Sequence, residues 1–140
     1  MTDRGTAIKA GAHVLLAAAK PGQVICDRGM SLVAGCSFSD VPDDLDMLFV
    51  PGGAPGTIAA MQDGAFLEFL ADRGKRARFV TSVCTGSLVL GAAGLLKGYH
   101  ATSHWAFRDI LPLLGAKPVA QRVVVDGNRI TAGGVTAGID

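Results

Sequence analysis

The stretch at residues 78–83 constrains the fold most, because it runs without a loop into a second apolar stretch at residues 88–96. The first stretch is rich in β-branched and aromatic residues, which predicts a strand. The second is apolar on all sides, which predicts a buried helix. A strand that turns directly into a buried helix is a building unit of α/β proteins.

Further strands and helices alternate along the chain in the same way. Helices are predicted from about residue 57 to 74 and around residues 105–114, where Pro112 must bend or shorten the second one. The other strands, four of which form two hairpins, are predicted at residues 14–19, 24–26, 31–33, 46–50, 122–125 and 129–131. This alternation predicts a mainly parallel sheet covered on both faces, with ligands beyond the carboxyl ends of its strands.

Composition limits the organisation and the partners of the chain. The 140 residues suffice for one domain, with residues 1–11 as a loose terminus. A net charge of +1 excludes a nucleic-acid binder driven by bulk charge. The apolar run at residues 12–19 is too short to span a membrane and matches a secretory signal poorly, so we expect a soluble, cytoplasmic protein.

Cys84 is the predicted nucleophile. It lies where the strand turns into the helix, with small residues, Ser82 and Gly86, two positions away on either side. This is the spacing of a nucleophile elbow, and amides at the start of a helix favour a thiolate. A free cysteine more commonly packs as a small hydrophobe, and we expect that of Cys26 and Cys36.

Residues near two other strand ends complete the predicted site. Gly52 and Gly53 follow a strand and, with the amide of Thr85, could form a donor pocket for negative charge on a substrate. Without Cys84, the two glycines indicate only a plain β-turn. His104 is the candidate proton carrier, because histidine ionises near neutral pH, although a lone histidine is as often a satisfied core residue.

Metal and nucleotide sites are not predicted. The three cysteines form an odd set without C-x-x-C spacing, which indicates neither a disulfide framework nor a zinc ribbon. His100 and His104 lack a partner at metal-ligand spacing. No phosphate-binding glycine loop follows any predicted strand.

The blocks at residues 83–96, 101–105 and 133–140 resemble the ThiJ/PfpI superfamily, and within it the isonitrile hydratases. The resemblance covers roughly residues 12–140 and implies a flavodoxin-like, class I glutamine amidotransferase-like sandwich, usually a homodimer. It further implies a cofactor-free lyase that adds water to an isonitrile and yields an N-substituted formamide. By the same resemblance Cys84 matches the family nucleophile, and His104 matches a histidine that lies close to it. Gly52 and Gly53 match the glycines that lend amides, and Thr85 is the residue that hydratases carry after the nucleophile.

The family's first, central strand and the acidic residue that follows it have no counterpart in residues 1–11. The chain also stops where the family continues into a closing helix. The resemblance therefore implies a chain shortened at both ends, with weak or absent turnover by itself. A sheet without its middle strand exposes ladder edges, which favours association.

Two other functions remain open. The N-terminal domain of AraC-type transcription regulators has a very similar Cys-Thr-Gly stretch and senses a small molecule without catalysis. A redox-sensing relative would instead oxidise Cys84 to a sulfinate.

Overall fold

The computed structural model describes residues 11–26, 28–134, 136, 137 and 139. The predicted loose terminus at residues 1–11 lies outside these residues, except for Gly11. The chain divides into two compact units, one that ends at Pro42 and one that begins at Asp43. The predicted single domain thus contains two units, which are described separately.

The first unit contains short strands. β1 (Ala17–Ala18) pairs in parallel with β4 (Cys36–Ser37), and a 3-10 turn at Phe38–Asp40 follows. β2 (Gly22–Ile25) and β3 (Ser31–Ala34) form the predicted antiparallel hairpin. The prediction of a buried strand at residues 14–19 is wrong, because only two of these residues pair and their side chains are exposed or half-buried. An apolar run predicts extended backbone, but it does not show what will cover the strand.

The second unit is built on a four-stranded sheet in the order β5–β6–β10–β9. The strands are β5 (Met47–Val50), β6 (Phe79–Val83), β9 (Val123–Asp126) and β10 (Arg129–Ala132). β5, β6 and β10 are parallel, and β9 pairs antiparallel with β10, as the hairpin prediction required. Because the ends of the three parallel strands are in register, the residues that follow them meet at one edge of the sheet. A separate parallel pair joins β7 (His100–Ala101) to β8 (Lys117–Pro118).

The helices differ from the predicted boundaries. The predicted helix at 57–74 is two helices, α1 (Ala54–Gln62) and α2 (Gly64–Arg76), because the Asp63 carboxylate caps α2 by accepting the Phe66 N–H at 3.1 Å. α3 (Gly86–Ala92) is buried as predicted, but it is followed by a turn in which Gly94 has a φ of 80°. The expected amphipathic helix at 105–114 is a 3-10 helix, Arg108–Leu114, that contains Pro112.

The main core lies on one face of this sheet. Its fully buried side chains include Leu70 of α2, Val80 of β6, Leu90 of α3, Leu96 in the turn after α3 and Leu111 of the 3-10 helix. A smaller cluster on the opposite face joins Val83, Ala132 and Ala137. Among the described helices, none is both long enough and apolar enough to cross a membrane.

Candidate active site

Cys84 adopts a strained backbone conformation at the end of β6. Its φ is +53°, and among the described residues no other non-glycine residue has a positive φ. Such a conformation costs about 1–3 kcal/mol and persists only where the surrounding structure holds it. The strand–turn–helix geometry around Cys84 is that of a nucleophile elbow.

Three hydrogen bonds hold the backbone of Cys84. Its N–H donates to the Ala132 carbonyl at 2.9 Å, which ties the elbow to the end of β10. Its carbonyl accepts the Ser103 hydroxyl at 3.0 Å and the Ser87 hydroxyl at 3.4 Å. Neither serine was among the predicted site residues, because both contacts depend on the folded geometry and leave no local pattern in the sequence.

Two glycines allow the chain to pass close to the elbow. A Cβ on Gly52 would lie 2.8 Å from the Thr85 nitrogen and 2.9 Å from the Cys84 Cβ. A Cβ on Gly86 would lie 2.2 Å from the Val50 carbonyl oxygen. Real Cβ atoms do not approach this closely, so both positions require glycine unless the neighbouring backbone moves.

Thr85 fixes the loop after β5 through its side chain. The Gly53 N–H donates to Thr85 Oγ1 at 3.0 Å, and the buried hydroxyls of Thr57 and Thr85 lie 2.8 Å apart. The Gly53 amide is therefore already engaged by a side chain. Within the described part of the chain the N–H groups of Gly52 and Thr85 have no hydrogen-bond partner, so these two amides are available as donors. Thr57 belongs to the site but was not predicted, because its position in a helical pattern gave no sign of this contact.

His104 is half-buried, three residues beyond β7. Its Nδ1 accepts the Ala106 N–H at 3.2 Å, and its ring lies 5.4 Å from that of Trp105 and 5.9 Å from that of Phe107, measured between centroids. Because Nδ1 is an acceptor, the proton of the neutral ring resides on Nε2. His104 also directly follows Ser103, which contacts the elbow.

His100 is engaged elsewhere. The Asp126 carboxylate accepts the His100 N–H at 2.8 Å and lies 3.2 Å from its Nδ1. These bonds, the backbone one first, hold the pKa of the Asp126 carboxyl below its usual value. His100 therefore ties β7 to β9.

An apolar groove of about 660 Å³ lies beside the elbow. Thr57 and Thr85 contribute to it, and its apolar lining includes Ile58, Met61, Leu88, Phe107 and Ile110. None of the described residues that line it carries a charge. The groove is suited to an uncharged, apolar group.

Comparison with known proteins identifies relatives with the same core. The sequence profile of the DJ-1/PfpI family matches residues 4–140. Isonitrile hydratase of Pseudomonas putida is 56% identical over 117 residues, which are 84% of this chain and 50% of the relative. The HTH-type transcriptional regulator CdhR of Pseudomonas aeruginosa is 35% identical over 133 residues, which are 91% of this chain and 37% of the regulator.

A solved structure agrees with these sequence relatives. The crystal structure of a ThiJ/PfpI family protein from Pseudomonas syringae superposes with a TM-score of 0.91 and 55% sequence identity. The match covers 93% of this chain and 54% of that protein. The predicted flavodoxin-like α/β fold with a mainly parallel sheet is therefore confirmed. This chain spans about half the length of the isonitrile hydratase it matches.

Proposed function

This chain belongs to the DJ-1/PfpI family, and we propose that it carries the nucleophile of an isonitrile hydratase, which adds water to an isonitrile to give an N-substituted formamide. The observation that carries the proposal is the strained elbow at Cys84, with a φ of +53°. The 56% identity to the Pseudomonas putida isonitrile hydratase supports the choice of reaction.

In the proposed reaction the Cys84 thiolate attacks the terminal carbon of the isonitrile. A C–S bond forms, the carbon takes up a proton, and the product of this step is a thioimidate. Water then adds to the same carbon, and the tetrahedral adduct collapses. One proton of this water goes to the nitrogen; the C–S bond then breaks, the sulfur leaves as the thiolate, and the hydroxyl proton is released to solvent as the C=O bond of the formamide forms.

The groups around Cys84 have distinct roles in this scheme. The free amides of Gly52 and Thr85 stabilise the negative charge that develops on the adduct. The Nε2–H of His104, whose Nδ1 is already occupied as an acceptor, donates a hydrogen bond to the water that supplies the proton. The uncharged groove beside Thr85 takes the apolar substituent on the isonitrile nitrogen.

The test separates the covalent step from turnover. The chain is mixed with pentyl isonitrile; N-pentylformamide is followed by proton NMR, and the Cys84 peptide is weighed by mass spectrometry. We expect an adduct of the mass of the isonitrile on Cys84, together with slow formation of formamide. Cys84→Ala is expected to lose both signals, whereas Cys36→Ala, which removes another half-buried free thiol, is expected to retain both. Absence of both signals from the wild-type chain, or equal signals from Cys84→Ala, contradicts the proposal.

A second candidate is a sensing domain that binds a small molecule without turnover. The 35% identity to the regulator CdhR over 91% of this chain favours it. In that case calorimetry shows reversible binding of pentyl isonitrile or its formamide, and Cys84→Ala still binds. An adduct on Cys84 followed by release of formamide decides for the hydratase.

Two further properties belong to the same proposal. We place the chain in the cytoplasm, where its three free cysteines remain reduced. We also propose a homodimer, because the β2–β3 hairpin exposes apolar side chains that a second copy would cover.

A further inference from the structure

Two buried hydroxyls contact the peptide group that follows the proposed nucleophile. Ser103 is completely buried, and its O–H donates to the Cys84 carbonyl at 3.0 Å. The other hydroxyl on that carbonyl belongs to Ser87, at the longer distance of 3.4 Å. Ser103 therefore makes the shorter of the two contacts that hold this carbonyl in place.

The Cys84 carbonyl and the Thr85 N–H belong to the same planar peptide group and point in opposite directions. A hydrogen bond that fixes the carbonyl therefore fixes the direction of the N–H as well. This N–H has no partner within the described residues, and its nitrogen lies close to Gly52, whose added Cβ would be 2.8 Å away. We propose that Ser103 is a positioning residue that aims the Thr85 N–H at the reacting atoms by holding the Cys84–Thr85 peptide.

The segment that carries Ser103 is held by the residue before it and passes close to Gly133. The preceding residue, Thr102, donates its N–H to Thr131 Oγ1 at 2.9 Å. The Ser103 carbonyl lies 3.2 Å from the place that a Cβ on Gly133 would occupy. The next residue is His104, the candidate proton carrier. Ser103 therefore contacts the backbone of Cys84 and lies next to His104 in the chain.

The role of Ser103 in the reaction rests on the proposed function, but its effect on Cys84 can be measured without turnover. A backbone N–H that points at a sulfur atom stabilises its anionic form, and the thiolate is the form that reacts with iodoacetamide. Loss of the Ser103 hydroxyl frees the peptide to rotate and removes this preference. The pH profile of Cys84 alkylation then moves to higher pH.

The experiment measures alkylation of the Cys84 peptide by iodoacetamide between pH 5 and 9. We expect Ser103→Ala to lower the rate at pH 7 about three- to tenfold, the range of one neutral hydrogen bond, and to shift the profile upward. Ser103→Thr, which retains a hydroxyl, is expected to keep the wild-type profile. Ser82→Ala is the matched control, because Ser82 is also buried and close in sequence to Cys84, but its hydroxyl has no partner among the described residues.

A Ser103→Ala profile that superimposes on the wild type overturns the proposal, as does an equal shift in Ser82→Ala. Urea unfolding of each variant establishes that it is folded. If Ser103→Ala lacks a cooperative transition, Ser103→Cys, a weaker donor of similar size, is measured by the same criteria at the Cys84 peptide. If the wild-type chain is inactive toward isonitriles, the proposed function is contradicted. The alkylation profiles of the Ser103 variants still test the role of Ser103, because they do not depend on turnover.

Discussion

Cys84, the proposed nucleophile, has an unfavourable backbone conformation. A residue with a side chain at a φ of +53° is strained, and the hydrogen bonds to Ala132 and Ser103 maintain that conformation. The chain is therefore expected to be less stable than it would be with a permissive residue at this position.

Replacement of Cys84 by glycine tests this strain. Glycine adopts positive φ without strain, which stabilises the folded state, but it also increases the entropy of the unfolded chain. We expect the first effect to be larger, so that Cys84→Gly raises the free energy of unfolding by about 1 kcal/mol. Cys84→Ala is the control, because alanine removes the thiol but retains the strain. Urea unfolding measures both variants. A Cys84→Gly variant no more stable than Cys84→Ala contradicts the assignment of strain.

At the scale of elements, α3 approaches β5 through Gly86. A Cβ there would meet the carbonyl oxygens of Val50 and Pro51 at 2.2 and 2.9 Å, and backbone atoms cannot rotate away as a flexible side chain can. We expect Gly86→Ala to push α3 from the sheet, to destabilise the protein by about 3 kcal/mol, and to slow Cys84 alkylation.

Gly56 provides the matched control for this substitution. It also lies in a helix, α1, but a Cβ at this position meets nothing within 4 Å. Gly56→Ala is therefore expected to stabilise the protein by up to about 1 kcal/mol through helix propensity alone. Equal urea midpoints for the two alanine variants would show that the contact between α3 and β5 is not as close as described.

The link between β7 and β9 makes stability depend on pH. The backbone N–H and the ring of His100 lower the pKa of the Asp126 carboxyl in the folded state. A carboxyl with a lowered folded pKa contributes stability above its unfolded pKa and loses it as the pH falls through the folded value.

We therefore expect Asp126→Asn to be less stable than the wild type at pH 6, with a small difference because the group is exposed. The difference is expected to narrow as the pH falls toward the lowered pKa of the Asp126 carboxyl. Urea midpoints between pH 2.5 and 7 give the comparison, with Asp109→Asn as a control for the loss of one exposed negative charge. A difference that persists unchanged at pH 2.5 would rule out this linkage.

For the molecule as a whole, local signals predicted the sheet and the elbow. The strands β5, β6, β9 and β10 are short apolar runs bounded by turns, and the elbow follows from small residues at a fixed spacing. The partners of the elbow were not predictable, because Ser103 is 19 residues from Cys84 and Thr57 is 28 from Thr85. The break between α1 and α2 was missed because one capping aspartate interrupts a continuing apolar pattern.

We expect the β2–β3 hairpin to carry the proposed association of two copies. Its apolar side chains are exposed on both faces, since Val24 and Leu32 lie opposite each other on one face while Ile25 and Val33 lie on the other. Ile25 is 72% exposed and Val33 is 66% exposed. A two-stranded hairpin with this much exposed apolar surface is marginal unless another surface covers it.

Sedimentation equilibrium at micromolar concentration is therefore expected to give twice the 14.3 kDa of one chain. The double variant Ile25→Lys, Val33→Lys places two charges in the covered surface. Because burial of an unpaired charge costs free energy, the mass is expected to fall to that of a monomer. Gln121→Lys is the control, because Gln121 is polar and exposed and lies outside the hairpin, so it adds a charge away from the surface tested. If the wild type is a monomer, or if the double variant still sediments as a dimer, the hairpin is not the interface between two copies.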